Sequence, residues 1–324
     1  MRALITGITG QDGSYLTELL LTKGYEVHGL VRPGRELSQS RLTHLVADPS
    51  FSRRLVFHEA GFDDAEKLNR VLAETPFDEV YHLAAQSHVG LSFEKVEATC
   101  EIAVMGTVRL LEAIRKSGHR TRLFNAASSE MFGLPKSAPQ TEETPRNPIN
   151  PYGCAKTFAF DIVTAYRQRL GLFASNGILF NHESPRRGEN FVTKKICLGA
   201  AAIKLRRQEK LTLGSLDARR DWGDARDFVR GMWLTLQHTQ PDDFIFATGE
   251  LHSVQDVVEI AFETVKLNWR DYVEQDTRFI RPAEPTQLVG NPAKAERVLG
   301  WKRNGTFQAL IAEMTESAIE SLRF

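Results

Sequence analysis

The feature that most constrains this chain is a glycine-spaced turn, Gly7-Ile8-Thr9-Gly10-Gln11-Asp12-Gly13, set between an apolar run and a segment of helical periodicity. Glycines at such a junction let the backbone turn tightly and bring a helix N-terminus against a pyrophosphate. An ordinary glycine-rich strand-to-helix turn is the competing reading, and the position directly after the first strand favours the dinucleotide. Short apolar runs and helical segments then alternate along the first half. The runs Ala3–Thr6, Glu26–Val31, Leu55–His58, Glu79–Leu83, Leu123–Ala126 and Phe173–Phe180 are expected strands, and Gly13–Thr22, Ala65–Ala73 and Ala103–Lys116 are expected helices. This order predicts an α/β fold with a doubly wound parallel sheet of Rossmann type.

After Asn181 the alternation weakens into Ser184-Pro185-Arg186-Arg187-Gly188-Glu189-Asn190, followed by strand-like segments at Leu211–Gly214 and Phe244–Thr248. Ser253 precedes a helical run through Val265 and is expected to cap it. The expected division is a dinucleotide-binding domain of residues 1–181 plus about 222–249, interleaved with a smaller α/β substrate domain of about 182–221 and 250–324. At 324 residues the chain is long enough for both.

Lys plus Arg and Asp plus Glu are 41 each, so the chain lacks the basic excess of a dedicated nucleic-acid binder and must hold any anion locally. Cys100, Cys154 and Cys197 have no metal-ligand spacing and read as free thiols of a reducing compartment. No apolar run approaches the ~18 residues of a membrane span. The N-terminus enters a strand with no signal-peptide pattern, which leads us to expect a cytoplasmic protein with no membrane partner.

An acidic residue at the end of the second strand reads the ribose of NAD, whereas arginine there suits the 2′-phosphate of NADP. Here that end reads Val31-Arg32-Pro33-Gly34-Arg35, so Arg32 and Arg35 point to NADP, solvated loop charges being the alternative. Tyr152 and Lys156 stand four apart behind Pro151 and share one face of a helix. A cation there is expected to lower the phenol below its usual ~10 and let Tyr152 take a hydroxyl proton. Ser128, after the fifth strand, can hydrogen-bond a substrate hydroxyl or oxyanion. Glu130 is either a solvated carboxylate or a base able to remove the C–H proton that becomes acidic beside a newly formed ketone. A dehydratase needs such a base; a plain dehydrogenase or epimerase does not.

Further motifs join these: Ala84-Ala85-Gln86-Ser87-His88-Val89, Ser128-Ser129-Glu130-Met131-Phe132-Gly133, Asn181-His182-Glu183-Ser184-Pro185-Arg186-Arg187-Gly188, Asp217 through Asp221-Trp222-Gly223, and Arg281-Pro282-Ala283-Glu284. With the GxxGxxG turn and the Tyr152/Lys156 pair, they resemble the GDP-mannose 4,6-dehydratases within the extended short-chain dehydrogenase/reductases, from Ala3 to Trp301. The resemblance implies intramolecular redox on a GDP-sugar: NADP removes hydride from C4 of the hexose, water leaves across C5 and C6, and the hydride returns to C6. It implies Ser128 in a place usually held by threonine, Glu130 as C5 base, Tyr152 as C4 base and Lys156 holding the ribose. Gly7, Gly10, Gln11, Asp12, Gly13, Arg32, Arg35, Leu83, Ala84, Ala85, His182 and Arg187 would then bind the cofactor with Tyr152 and Lys156. Ser87, Glu130, Asn181, Lys195, Arg220, Arg281 and Glu284 would contact the GDP-sugar, without any metal, in a homodimer or homotetramer.

The chain departs from that family's pattern at Gly61, where an Asp usually contacts adenine, so that contact is lost or moves to a neighbour. The loop Arg32-Pro33-Gly34-Arg35-Glu36 replaces an Arg-Arg-Ser type that reaches an adjacent subunit in relatives, and Thr286 and Asn291 stand where acidic residues are usual. The same dehydration of another GDP-sugar such as a GDP-heptose, a GDP-sugar epimerase or 4-ketoreductase, and a catalytically silent binding protein are the alternatives. Loss of Tyr152 or Lys156 would have marked the last, and both are present.

Overall fold

The computed structural model describes residues 1–34, 36–37, 40–276 and 287–323. Its first six strands are β1 (Arg2–Thr6), β2 (Glu26–Val31), β3 (Leu55–Glu59), β4 (Glu79–His82), β5 (Arg122–Ser128) and β6 (Ala174–Leu179). Then come β7 (Asn181–Glu183), β8 (Leu211–Leu213), β9 (Arg219–Arg220), β10 (Trp222–Asp224), β11 (Phe244–Phe246), β12 (His252–Ser253) and β13 (Val273–Gln275). Seven of them form one parallel sheet in the order β11-β6-β5-β4-β1-β2-β3. The order reverses between β1 and β4, where the connections diverge and leave a crevice at the strands' carboxyl ends. Thr6 and His82 pair in register at that crevice.

Successive residues of a strand face opposite sides, and β1 shows what this does for the core. Ala3 and Ile5 join the cluster that includes Leu16, Leu20, Met232 and Leu236, from the helices Gln11–Thr22 and Ala225–Gln237. Leu4 turns the other way, to Leu68, Leu72, Leu110 and Leu111 from Ala65–Glu74 and Gly106–Ser117. Helices thus cover both faces of the sheet, as a buried parallel sheet requires.

A separate apolar cluster gathers Ile196, Cys197, Val257, Val258, Phe262, Ile311 and Met314 from the helices Val192–Lys204, Val254–Thr264 and Phe307–Arg323. Ala295 and Trp301 pack instead with the sheet's cluster. Ser253 caps its helix reciprocally: its Oγ accepts from Asp256 N at 3.0 Å and its own N–H donates to Asp256 Oδ2 at 2.7 Å. The expected helix at Ala103–Lys116 differs in its start, because a π-helical turn, Glu101–Met105, precedes Gly106–Ser117. A single wide turn within a longer helical run leaves too short a segment ahead of Gly106 for periodicity to mark its start.

Candidate active site

At the crevice, Gly7 has φ +73°, and a Cβ there would lie 2.9 Å from the backbone N and Cα of Ala84. A Cβ at Gly13 would lie 2.3 Å from Gly7 O, so the first helical turn packs directly on the glycine turn. Gly10 is the helix N-cap and brings no side-chain cap, which keeps the N-terminal N–H groups available to an anion.

Buried hydrogen bonds fix the opposite wall. The Thr6 hydroxyl accepts from Leu83 N and Ala84 N, each at 3.2 Å, and meets His82 Nδ1 at 2.8 Å. With its acceptor sites used, the hydroxyl donates to Nδ1, which leaves the proton of a neutral imidazole on Nε2, 3.1 Å from Thr107 Oγ1. Burial, and then the Lys156 charge, push His82 down to about 3, in keeping with that neutral form. Leu83 and Ala84 are therefore held by the Thr6 hydroxyl of β1, itself fixed by His82.

Gln11 and Asp12 tie the first helix to the segment after β7. Gln11 Nε2 donates to His182 O at 3.0 Å, Ser184 Oγ donates to Gln11 Oε1 at 2.8 Å, and His182 Nε2 lies 2.8 Å from Asp12 Oδ2. Burial alone would discharge both members of that pair. The Asp12 charge and hydrogen bond nevertheless raise His182 above its ordinary 6.5, and His182 holds Asp12 below 3.8. We expect His182 to titrate above 6.5 by NMR and to fall below that value in Asp12→Asn; an unchanged midpoint would sever the pair. Arg187 lies with its Nε 3.1 Å from Glu183 Oε2 and its guanidinium 3.6 Å above the Phe191 ring, and among the described residues that buried Nε has no aligned hydrogen-bond partner.

The helix Pro151–Leu170 carries Tyr152 and Lys156 and begins at Asn150, whose Oδ1 accepts from Gly153 N at 2.7 Å. Asn150 Nδ2 donates to Glu130 Oε2 at 2.8 Å. Ser128 and the charges of Glu130, Arg187 and Asp12 all act on the Tyr152 phenol. The catalytic candidates and part of the cofactor set therefore share one site.

One expectation is corrected here. Burial raises the Tyr152 phenol to about 12 instead of lowering it, outweighing the lowering influence of Ser128. Lys156 lies with Nζ 5.8 Å from the Tyr152 ring centroid and donates to Ala126 O at 2.6 Å. Burial also lowers Lys156 to about 8, so its charge survives at neutral pH without offsetting the burial of the phenol.

Of the expected substrate residues, Ser87 and Lys195 are exposed, the latter donating to Thr212 O at 2.8 Å. Asn181 opens β7 beside Trp222, and Arg220 donates to Arg219 O at 2.7 Å on β9. Arg32 is exposed beyond β2, and Ala85 follows Ala84 on the crevice wall. Arg35, Arg281, Glu284 and Thr286 lie outside the described residues.

A family model described as GDP-mannose 4,6 dehydratase matches residues 4–314. The chain belongs to the GDP-mannose 4,6-dehydratase family. GDP-mannose 4,6 dehydratase 2 of Arabidopsis thaliana is 49% identical over 324 residues, covering 98% of this chain and 87% of that protein. The GDP-mannose 4,6-dehydratase of Sinorhizobium fredii is 46% identical, covering 99% and 97%. Among solved structures, the dTDP-glucose 4,6-dehydratase DesIV of Streptomyces venezuelae, with NAD and TYD bound, aligns with a TM-score of 0.86 at 25% identity over 99% of this chain and 97% of that one. RMD of Pseudomonas aeruginosa, complexed with NADPH, aligns with a TM-score of 0.84 at 22% identity over 99% of both chains and shares the fold.

In this member of the dehydratase family, the sequence left several site residues unseen. Thr6, Thr107 and Asn150 are polar residues beside apolar runs or prolines, with no motif of their own. Arg41 was missed as well: its Nε donates to Arg186 O at 2.7 Å and its Nη1 to Thr9 O at 3.3 Å, which joins the glycine turn to the Arg-rich segment. Asp221 is buried and accepts from Thr248 N, Thr248 Oγ1, Gly249 N and Gly290 N at 2.7 to 3.2 Å. The Asp-Trp-Gly motif is thereby a structural clasp next to Arg220.

Proposed function

We propose that this chain converts GDP-mannose to GDP-4-keto-6-deoxymannose and water, with NADP as a recycled cofactor. The observation that carries the reading is the placement of a second base: Glu130 is hydrogen-bonded to the residue that starts the Tyr152 helix. A reaction confined to C4 has no use for it.

The glycine turn fits a pyrophosphate, since its close backbone packing admits no Cβ at Gly7 or Gly13 and the helix N-terminus behind it carries no side-chain cap. Gly7, Gly10, Gln11, Asp12, Gly13, Leu83, Ala84, Ala85, His182 and Arg187, with Tyr152 and Lys156, are the residues we assign to the cofactor, and Arg32 to its 2′-phosphate. NADP is favoured over NAD by that arginine and by the lack of an acidic residue in Arg32-Pro33-Gly34. A nicotinamide held there would supply the acceptor for the C4 hydride and its source at C6.

Tyr152 takes the C4 hydroxyl proton while Ser128 hydrogen-bonds the oxygen that becomes the ketone. A phenol held near 12 is protonated at neutral pH, so making it a base falls to positive charge in the loaded site, to which Lys156 contributes. The ketone acidifies the C5 proton. Glu130 removes it, the electron pair forms an enolate, the C6–O bond breaks, and the proton on Glu130 leaves with the hydroxyl as water; once C6 is reduced, C5 takes one proton from solvent, which balances the one Tyr152 took from the C4 hydroxyl. Ser87, Asn181, Lys195, Arg220, Arg281 and Glu284 are assigned to the GDP-sugar. We further divide the chain into a cofactor part, 1–181 with about 222–249, and a substrate part, about 182–221 with 250–324, supported by the separate cluster around Cys197.

Phe93, Val96, Met105 and Phe158 are exposed on neighbouring helical segments, an apolar face that suits a second copy of the chain. Sedimentation at dimer or tetramer mass would support a homo-oligomer; a monomer at micromolar concentration would remove it. Free Cys100, Cys154 and Cys197 suit a cytoplasmic enzyme. Among the described residues no helix is long and apolar enough to cross a membrane, and no His/Cys/Asp/Glu group could hold a metal.

Incubation with GDP-mannose and catalytic NADP tests the reading by mass spectrometry of the sugar nucleotide. Loss of one water without accumulation of NADPH supports it. Loss of water only from a GDP-heptose moves the substrate, and failure on every GDP-sugar ends the dehydratase reading.

A further inference from the structure

We propose that Asn150 is a positioning residue for Glu130, one whose amide N–H fixes the carboxylate at Oε2 and favours its charged form. The proposal rests on the dehydratase reading for its chemistry and on the geometry of the helix start for its structure.

An asparagine amide has two unlike ends, and the N-cap assigns them. The end facing Gly153 N at 2.7 Å meets a donor and must be the oxygen. The end facing Glu130 Oε2 at 2.8 Å is therefore the NH2, a donor to an acceptor. The side chain is buried and held in extended backbone, φ −142°, at the cap, so neither bond is a loose surface contact.

Backbone packing points to the same coupling. A Cβ at Gly153 would lie 2.5 Å from Glu130 O, so the Glu130 main chain presses on the first turn of the Tyr152 helix while its side chain is held by that helix's cap. The bond from Glu130 N to Ser128 Oγ, 3.3 Å, extends this register to the third catalytic candidate. Glu130 is thus tied both to the cap of the Tyr152 helix and to Ser128.

The chemical consequence follows from what an amide can do. Its N–H stabilises the carboxylate over the neutral acid and fixes its orientation, so losing it leaves Glu130 a less charged and less well placed base. Among good N-cap residues, aspartate would face Glu130 with a like charge, and glycine would cap at little cost but supply nothing. Serine has one oxygen that can both accept from Gly153 N and donate a proton, which makes it the conservative replacement.

The test uses Asn150→Asp, Asn150→Gly and Asn150→Ser in the full chain, with GDP-mannose and NADP. We expect all three to fold, with C4 oxidation in a single turnover near the unsubstituted rate. In Asn150→Gly and Asn150→Asp the dehydration step should slow by about 10–100-fold, the factor carried by a hydrogen bond to a charged group. The acid limb of kcat against pH should move upward, further in Asn150→Asp, with KM little changed, and Asn150→Ser should recover most of the loss. Unmoved acid limbs and dehydration rates in both Asn150→Gly and Asn150→Asp would overturn the proposal, leaving Asn150 a helix cap. A parallel loss of C4 oxidation, dehydration and thermal stability would overturn it too. Should the unsubstituted protein fail to dehydrate GDP-mannose, the dehydratase reading falls by itself. The titration of the Glu130 carboxyl by carbon NMR still decides whether Asn150 holds it: an upward shift in Asn150→Gly supports the proposal and no shift contradicts it.

Discussion

Glu130→Gln is expected to abolish product while leaving the first half of the reaction intact. Glutamine has the same shape, and its carboxamide oxygen can accept from Asn150 Nδ2 in place of Oε2, so the cap of the Tyr152 helix is undisturbed. What it cannot do is take a proton from C5. Tyr152, Ser128 and Lys156 remain, and C4 oxidation stays possible. Removing a positioned general base costs roughly 10²–10⁴-fold, so product should drop by at least that range while a reduced-nicotinamide absorbance builds up in proportion to enzyme. Product formation within about tenfold of the unsubstituted rate would show that Glu130 is not the base.

Tyr152→Phe is expected to stop both halves. The ring stays buried beside Ser128 and the fold is preserved, but the C4 hydroxyl has no group to take its proton. A loss of roughly 10²–10⁴-fold is again expected, this time with no reduced-nicotinamide signal, because oxidation itself is blocked. The two variants therefore separate the two bases by what accumulates. The pH dependence adds a sign: with Lys156 at about 8, its charge is present below that pH and lost above it, so the oxidation step should weaken as pH rises through 8. Oxidation that strengthens smoothly across that range would mean the Lys156 charge contributes nothing. A Tyr152→Phe protein that still reduces the nicotinamide would reassign the C4 base.

The sheet was legible because strands of a buried parallel sheet are short apolar runs and their crossover helices keep a helical period; Ala3–Thr6 and Glu26–Val31 carry that signal unaided. The glycine turn was legible for a local reason, since positive φ and close approach both fall within seven residues. The two-residue pair of β9 and β12 was not, because a pattern of period two cannot show in two residues. Nor were the contacts that build the site. Thr6 and His82 are 76 residues apart, Asp12 and His182 170, and Asn150 reaches back twenty to Glu130. Each is brought together by strand order rather than by spacing. The sign of the Tyr152 shift failed for a related reason: a helical spacing of four places a lysine near a tyrosine but says nothing of how deeply both are buried, and here burial dominates.

Intramolecular hydride return is the central claim, and GDP-mannose deuterated at C4 tests it most directly. With protonated solvent and unlabelled NADP, the expected product has lost one water and carries the deuterium at C6. In deuterated solvent, unlabelled substrate should acquire one solvent deuteron at C5. Deuterium lost to the cofactor pool or to solvent, or a product of unchanged mass with the label still at C4 or inverted there, would contradict a dehydratase built on Glu130 and Tyr152.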